Sequence, residues 1–521
     1  MLVIGGGITG AGVSRDAVMR GLSVALVEQD DFASGTSSRS SRLVHGGLRY
    51  LEHGQLGLVF ESSRERRTLL RIAPHLVRPL PFVWPVYRGA RVPAWKLSIG
   101  LTMYDALSLF RNPARHQRLG VHGVVQQEPR LTHTGLGGGA RYWDAATSDV
   151  RLTLATVRSA QQAGAAALNH VRVDTLVRSG ARVSGAEVVD VETGRHIQVR
   201  ARMIVNSTGA WSDRVERLAD PTASSAVRGS KGSHVMVPRS RVGNVSAITL
   251  TAPQDGRVMF VLPAGAFTII GTTDTYDDVA PEDVRATHTD VKYLLEAANH
   301  FFHEAHLTES DIVSAWAGIR PLAAADDGHG AGRASREHSI VETAPGLLRV
   351  TGGKLTTYRA MADDIVNHAE RVLGVPHRAS RTANAPLAGG AIGDVRRAIE
   401  EVTHVVSDGV LAERLVHAYG AEWRDVWALT AGDSTFLQRI TPDRPYVLAE
   451  LRHSVMHEMA RTFGDLLIRR TPVAFETRDH GREAARRIAP RVAEWVGWSA
   501  AETEVAIAAY DAAIARLFTI D

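Results

Sequence analysis

The sequence predicts an α/β protein: a Rossmann-like nucleotide-binding domain interleaved with a sheet-based second domain, followed by an all-helical C-terminal domain. Three observations predict it. A glycine turn at residues 5–12 sits between an apolar run and a helical stretch, and a second apolar run then ends in Glu28. Two further strand-to-glycine transitions occur near Val205 and near Val350, with a strand-rich block between them. Beyond about Gly389 strand patterning vanishes and helical spacing takes over.

The first element is the short apolar run ending at Ile4. It leads at once into Gly5-Gly6-Gly7-Ile8-Thr9-Gly10-Ala11-Gly12, read as G-x-G-x-x-G with Gly5, Gly7 and Gly10 as the glycines. Without a Cβ the backbone turns tightly and approaches a pyrophosphate closely. The following helix aims its free N–H groups and the positive end of its dipole at that anion. Leu22-Ser23-Val24-Ala25-Leu26-Val27 is the second strand. Glu28, about twenty residues past the glycines, is placed to hold a ribose hydroxyl.

Residues 34–42 are small and polar (Ser34-Gly35-Thr36-Ser37-Ser38-Arg39-Ser40-Ser41-Arg42), and helical periodicity then runs to about Leu70. Residues 74–93, rich in proline and aromatics, read as extended. Residues 171–205 alternate as strands with Thr193-Gly194 as a hairpin turn, and run into Ser207-Thr208-Gly209-Ala210-Trp211. Residues 229–274 form the strand-rich block, with turns at Pro253-Gln254-Asp255-Gly256 and Pro263-Ala264-Gly265. Leu347-Leu348-Arg349-Val350 is a strand leading to Thr351-Gly352-Gly353-Lys354, and a helix follows to about Val372. The nucleotide-binding domain is therefore expected at residues 1–75, 145–215 and 315–387, and the second domain at 76–144 and 216–314. The helical domain takes residues 388–521, where Val505, Ile507, Tyr510, Ile514, Leu517 and Phe518 show helical spacing.

A chain of 521 residues suggests two or three domains. Its 44% hydrophobic and 22% charged content favours a packed core over disorder. The net charge of +4, from 60 Lys+Arg against 56 Asp+Glu, is too mild to predict nucleic acid binding. It leaves room for local basic patches toward an anionic substrate or lipid. The absence of cysteine excludes disulfides, thiolate nucleophiles, Fe–S clusters and Cys-based zinc sites. No run reaches the roughly eighteen uncharged apolar residues of a membrane helix. The nearest, residues 258–271, holds Pro263 and Gly265 and reads as strand–turn–strand. No signal peptide is expected, because the first residues are already strand. Arg469-Arg470 and Arg486-Arg487 read as exposed helix faces, with contact to anionic lipid as the alternative. His300, His303 and His306 read as a solvated face, and no metal site is expected.

Gly352-Gly353 ahead of a helix offers a second anion-facing helix start. One such start serves a pyrophosphate. A second suits the negative charge that a reduced flavin carries near N1 and its C2 carbonyl. Two in one chain favour FAD over NAD.

Six motifs occur in order: Gly5 to Gly10, His45-Gly46-Gly47-Leu48-Arg49-Tyr50-Leu51-Glu52, Lys231-Gly232-Ser233-His234, Gly271-Thr272-Thr273-Asp274, Gly318-Ile319-Arg320-Pro321-Leu322 and Gly352-Gly353-Lys354-Leu355-Thr356-Thr357-Tyr358-Arg359. Together they resemble the FAD-dependent glycerol-3-phosphate dehydrogenases, the quinone-reducing respiratory kind, over nearly the whole chain. The second and last motifs are the specific ones. The resemblance implies an FAD-binding domain in which Gly5, Gly7, Gly10, Glu28, Thr36, Ser37, Ser38, Ser40, Leu43, His45, Gly46, Gly209, Trp211, Gly353, Leu355 and Thr356 hold FAD. It implies that Arg49, Tyr50 and Arg336 hold the substrate phosphate. Thr272, Arg320 and Lys354 are also placed on the substrate, the last two nearer the reacting carbon and flavin N5. Arginine offers phosphate a planar fork and lysine a point charge.

The reaction implied is oxidation of sn-glycerol 3-phosphate to dihydroxyacetone phosphate, with hydride passing to flavin N5. The hydroxyl proton needs an acceptor. His234 has a suitable ordinary pKa, whereas Arg320 would stabilise a developing alkoxide instead. Lys354 is the third catalytic candidate, and the sequence leaves the choice open. The expected partners are glycerol 3-phosphate, a membrane quinone, an anionic membrane surface and a second copy of the chain, with no nucleic acid. The expected location is cytoplasmic, peripheral on the inner face of the membrane. The rival readings are an oxidase using oxygen, an amine or 2-hydroxy-acid flavo-oxidoreductase, and a flavin-binding scaffold or redox sensor without turnover.

Overall fold

The computed structural model describes residues 1–521 apart from 49, 50, 52, 53, 277, 278 and 324–337. The expected phosphate ligands Arg49, Tyr50 and Arg336 lie outside the described residues. Nine elements position the site: β1 (Leu2–Ile4), α1 (Ile8–Met19), β2 (Ala25–Val27), α2 (Ala94–Leu107), β3 (Val227–Pro238), α3 (His288–Phe301), β4 (Ser314–Ala323), β5 (Leu347–Thr351) and α4 (Tyr358–Leu373).

A six-stranded sheet carries the nucleotide-binding pieces. β1 runs parallel to β2 and to Ile204–Asn206, which in turn runs parallel to β5. Strands covered on both faces read as continuous apolar runs, and successive side chains go to opposite sides. Val3 packs with Ala11 and Val13 of α1 and Ile365 and Val366 of α4. Leu2 and Ile4 instead pack with Val183, Ala186 and Val188 of the separate three-stranded sheet formed by residues 171–200. α1 begins directly after Gly7. Gly5 adopts φ +103°, and a Cβ on Gly10 would lie 2.0 Å from the Gly5 carbonyl oxygen. The third glycine of the motif therefore serves close packing of helix on strand.

The second layer is a ten-stranded sheet. β3 pairs antiparallel with β4 in unbroken register from Val227↔Ala323 to Met236↔Ser314. Residues 315–323, expected with the nucleotide-binding pieces, are thus part of the large sheet. Leu43–Val44 and the end of Leu136–Thr147 also belong to it. Hydrogen-bonding partners fix this assignment, and a boundary placed by motif order does not register them. One face of the large sheet carries Val235 and Val237 against Leu294 and Ala298 of α3. The other carries Met236 and Trp316 among residues of the C-terminal part such as Phe463 and Phe475.

From residue 389 onward the described residues contain helices and one isolated bridge, Arg439 to Val447. In the last helix, Ala500–Phe518, the side chains of Tyr510, Ile514, Leu517 and Phe518 are buried, but Val505 is 69% exposed. The helix start overhangs the core, so the expected stripe ends before Val505. His300, His303 and His306 are exposed. Arg486 is exposed as well and pairs with Asp511 at 2.8 Å.

Arg469 and Arg470 lie neither on a surface face nor against lipid. Arg470 is fully buried and reaches Asp31 with both terminal nitrogens, at 2.5 and 2.9 Å. Arg469 meets Asp31 at 2.6 Å and Asp465 at 2.7 Å. Burial opposes charge on His170, but its hydrogen bond with Asp465 outweighs that and holds it up at about 9. Asp31, His170 and Asp465 stand close enough to share an ion, yet two guanidinium groups already neutralise the carboxylates. Asp31 follows β2 and Arg470 belongs to the C-terminal part, so the pairing clamps one onto the other. We expect Arg470→Met, which removes one of the two guanidinium groups on the buried Asp31 carboxylate, to cost about 1–3 kcal/mol, read as a lowered denaturant midpoint. Arg486→Met should stay within about 0.5 kcal/mol.

Candidate active site

A long cavity of about 1240 Å³ lies between the six-stranded and ten-stranded sheets. Its walls include Gly5, Gly7, Glu28, Thr36, Ser37, Ser40, Leu43, His45, Gly209, Trp211, Gly353, Leu355 and Thr356. The three other residues expected on the dinucleotide stand behind the wall. Gly10 packs on Gly5. Ser38 donates its hydroxyl to the Gly35 carbonyl at 3.1 Å, closing a short turn. Gly46 donates its N–H to Asp144 and to the Tyr104 hydroxyl, each at 3.0 Å. Arg66 bonds both acceptors, so the His45-Gly46-Gly47 turn is pinned from behind by a buried ionic group.

At one end, Glu28 accepts the Gly6 N–H at 2.7 Å and the Asp30 N–H at 3.0 Å. Burial pushes its carboxyl up to about 7 against those two hydrogen bonds. Each oxygen keeps a lone pair for a ribose hydroxyl. Ser37 accepts the Ile8 N–H at 3.0 Å at the start of α1, and Thr36 donates to the Ile319 carbonyl at 2.6 Å, tying this turn to β4. Trp211 is fixed by Glu282 at 3.1 Å.

The second glycine turn departs from expectation. Gly352 and Gly353 adopt φ +75° and +98°, but α4 begins only at Tyr358. A turn closed by the Thr357 N–H to the Lys354 carbonyl, 3.2 Å, stands between the glycines and the helix. What lines the cavity is the turn itself, including Lys354, and the hydroxyl of Thr356 accepts the His45 N–H at 3.2 Å. Helix periodicity alone does not separate a turn from the helix it precedes.

The cationic wall follows from the alternation of β3. Lys231 and Ser233 face α3, where Asp290 meets them at 3.1 and 3.0 Å. Ser230, Gly232 and His234 face the other way, toward the Arg320 side chain of β4. Arg320 donates to the Thr272 hydroxyl at 3.1 Å and to Asp274 at 3.3 Å, and to the carbonyls of Lys231 and Thr273 at 3.4 Å. Arg320, Thr272, His234 and Lys354 all line the cavity. The sequence motifs containing them are far apart in the chain, and the β3–β4 register brings His234 and Arg320 to one wall.

His234 differs from its expected state. Its ring stacks on Trp316, with centroids 5.3 Å apart and planes 12° apart, and its Nε2 lies 2.8 Å from the Ser41 hydroxyl. Burial, then the charges of Arg320 and Arg42, push it down to about 3. It is therefore neutral at neutral pH, with the ring held rigidly. Ser41 and Arg42 were visible in the small-polar stretch but carried no distinguishing spacing. Arg257, which donates to the Asp274 carbonyl at 2.7 Å and lines the cavity, had no sequence signal at all. Beyond the cations the wall turns apolar: Phe82, Trp84, Tyr142 and Phe260 with Leu97 of α2. Here the signal was present, since Phe82 and Trp84 alternate along one strand face.

The profile of the family "FAD dependent oxidoreductase" matches residues 1–359, and that of "C-terminal domain of alpha-glycerophosphate oxidase" matches residues 380–503. A glycerol-3-phosphate dehydrogenase of Mycobacterium leprae is 38% identical, over 99% of this chain and 88% of its own length. Glycerol-3-phosphate dehydrogenase 2 of Mycobacterium tuberculosis is 37% identical with the same coverage. Among solved structures, a glycerol-3-phosphate dehydrogenase from Bacillus halodurans, complexed with FAD, superposes with a TM-score of 0.83 at 29% identity, covering 100% of this chain and 96% of that one.

A Cβ on Gly232 would lie 2.3 Å from the Arg320 guanidinium. Gly232→Ala should push that group off Thr272 and Asp274 without touching the dinucleotide wall. We expect the purified variant to keep its full flavin absorbance while substrate affinity falls at least tenfold.

Proposed function

The chain belongs to the FAD-dependent glycerol-3-phosphate dehydrogenases, and on that footing we propose how its residues serve the reaction and where the electrons go. Arg320, Lys354 and Thr272 hold glycerol 3-phosphate at the β3–β4 wall, with Arg49, Tyr50 and Arg336 as the further phosphate ligands that the motifs imply. The observation that carries this is the Arg320 guanidinium, fixed by Asp274 and Thr272 on the cavity wall that His234 shares.

Bound FAD supplies the hydride acceptor. The protein supplies orientation and proton handling. Burial first, and then the charges of Arg320 and Arg42, suppress charge on His234. A phosphate dianion beside Arg320 offsets part of that field, in the direction that favours proton uptake by the ring. His234 then takes the C2 hydroxyl proton, while Arg320 faces the negative charge developing on the oxygen. The Trp316 stack and the Ser41 hydroxyl keep the ring from turning away.

The electrons pass to a membrane quinone at the inner face of the membrane. The support is the apolar stretch of the same cavity, since Phe82, Trp84, Tyr142 and Phe260 offer an anionic substrate nothing. An oxidase that releases peroxide is the second reading, favoured by the name of the matching C-terminal profile.

Anaerobic addition of glycerol 3-phosphate should bleach the flavin absorbance of the wild-type protein. His234→Ala should slow that bleaching by about 10²–10⁴, the usual worth of a positioned general base. A loss below tenfold assigns the proton to another group. Under air, turnover with a short-chain quinone should exceed peroxide release at least tenfold, and the reverse ratio would favour the oxidase.

A further inference from the structure

Of the described arginines that line the cavity, four are engaged by an oxygen of the chain. Arg172 meets Asp174 at 2.7 Å, Arg214 meets Glu282 at 2.6 Å, Arg257 donates to the Asp274 carbonyl, and Arg320 is held by Asp274 and Thr272. Arg39 and Arg516 line the same cavity, and neither guanidinium has a hydrogen-bond or ion-pair partner among the described residues.

Packing places both. Arg39 follows the short turn Thr36–Ser38 and lies against β4, where a Cβ on Gly318 would stand 2.8 Å from the Arg39 Cβ. Its Nε is buried without a partner. Burial pulls the group down to about 10, with Arg469 and Arg516 adding to the shift and Asp30 opposing it. Arg516 stands near the end of the last helix, Ala500–Phe518, which the buried Leu517 and Phe518 anchor. The Arg516 carbonyl accepts from Arg285 Nε at 3.2 Å. Asp521 in turn bonds Arg285 at 3.1 Å and the backbone N–H of His288 at 2.9 Å, so the helix end is stitched to the start of α3. Arg516 lies beyond both family profiles, the second of which ends at residue 503.

A cation set in a cavity wall without a counter-charge carries a desolvation cost, and an anion that enters offsets it. The position of Arg39 indicates which anion. It comes two residues after Ser37, which accepts the first N–H of α1, and it lies in the field of Asp30, two residues past the ribose-facing Glu28. In a dinucleotide the diphosphate joins those two places. We propose that Arg39 and Arg516 bind the diphosphate of FAD, so that the last helix of the C-terminal part supplies a cofactor ligand. Two guanidinium forks suit the several oxygens of a diphosphate. The two arginines come from nearly opposite ends of the chain, so cofactor retention and docking of the C-terminal part become one property.

The test follows FAD release from the loaded protein, read as flavin that passes an ultrafilter after dilution. Arg39→Gln and Arg516→Gln should each speed release at least tenfold. Arg516→Lys, which keeps the charge, should recover most of that loss. Added salt should speed release from the wild type more than from Arg516→Gln, because it screens a charge contact. Arg516 is exposed, so its variants should fold as the wild type does, checked by circular dichroism. Val505→Gln, at the exposed start of the same helix, should release FAD at the wild-type rate. Glutamine variants that release FAD as the wild type does would overturn the proposal. So would equally fast release from Arg516→Lys and Arg516→Gln, which would mean that the side-chain stem packs and the charge does nothing. A raised KM for glycerol 3-phosphate with wild-type release would give the pair to the substrate instead. Stabilisation by inorganic phosphate that the glutamine variants lose, again with wild-type release, would give it to a free anion. Either result overturns the assignment to FAD.

Discussion

Antiparallel pairing of β3 with β4 is the constraint on which the site rests. Because side chains alternate along a strand, that register sends Ser230, Gly232 and His234 to one side and Lys231 and Ser233 to the other. A slip of one residue would bury Lys231 in the cavity wall and turn His234 onto α3. The Arg320 guanidinium then lies flat against Gly232 because no Cβ stands there. Asp274, Thr272 and two carbonyls hold its two terminal nitrogens. A cation held this firmly can meet an anionic substrate without first being ordered.

The second dependence is between distant parts of the chain. The turn after β2 carries Glu28 toward the cavity and, three residues later, Asp31 into a fully buried pair with Arg470. The C-terminal part therefore braces the loop that faces the nucleotide, and Arg151 adds a second buried tie to Glu458 at 2.8 and 2.9 Å. Buried pairs of this kind add little net stability over an apolar contact, but they are costly to break and fix one geometry.

Much of the first sheet was legible because its signals are local. A glycine turn followed by a helix, a strand ending in an acid, and a proline-broken apolar run each depend on residues within one short window. The limits of that reading appear where a window is shared. Gly353 and α4 are separated by a turn that periodicity absorbs into the helix. Residues 315–323 have the composition of either sheet and go with β3 because of hydrogen bonds. Arg469-Arg470 has the composition of an exposed face and is buried because Asp31 waits for it.

The sequence by itself determined the nucleotide-binding start, the all-helical end, the family and its cofactor, because motif spacing and apolar period are properties of neighbouring residues. Only the tertiary structure decided which charges are paired and which are presented. His234 is a neutral ring, buried and within the fields of Arg320 and Arg42, instead of an ordinary histidine, and α2 is an apolar wall that shows one face to water. Ionisation and exposure depend on groups brought together across hundreds of residues, and chain order does not record those distances.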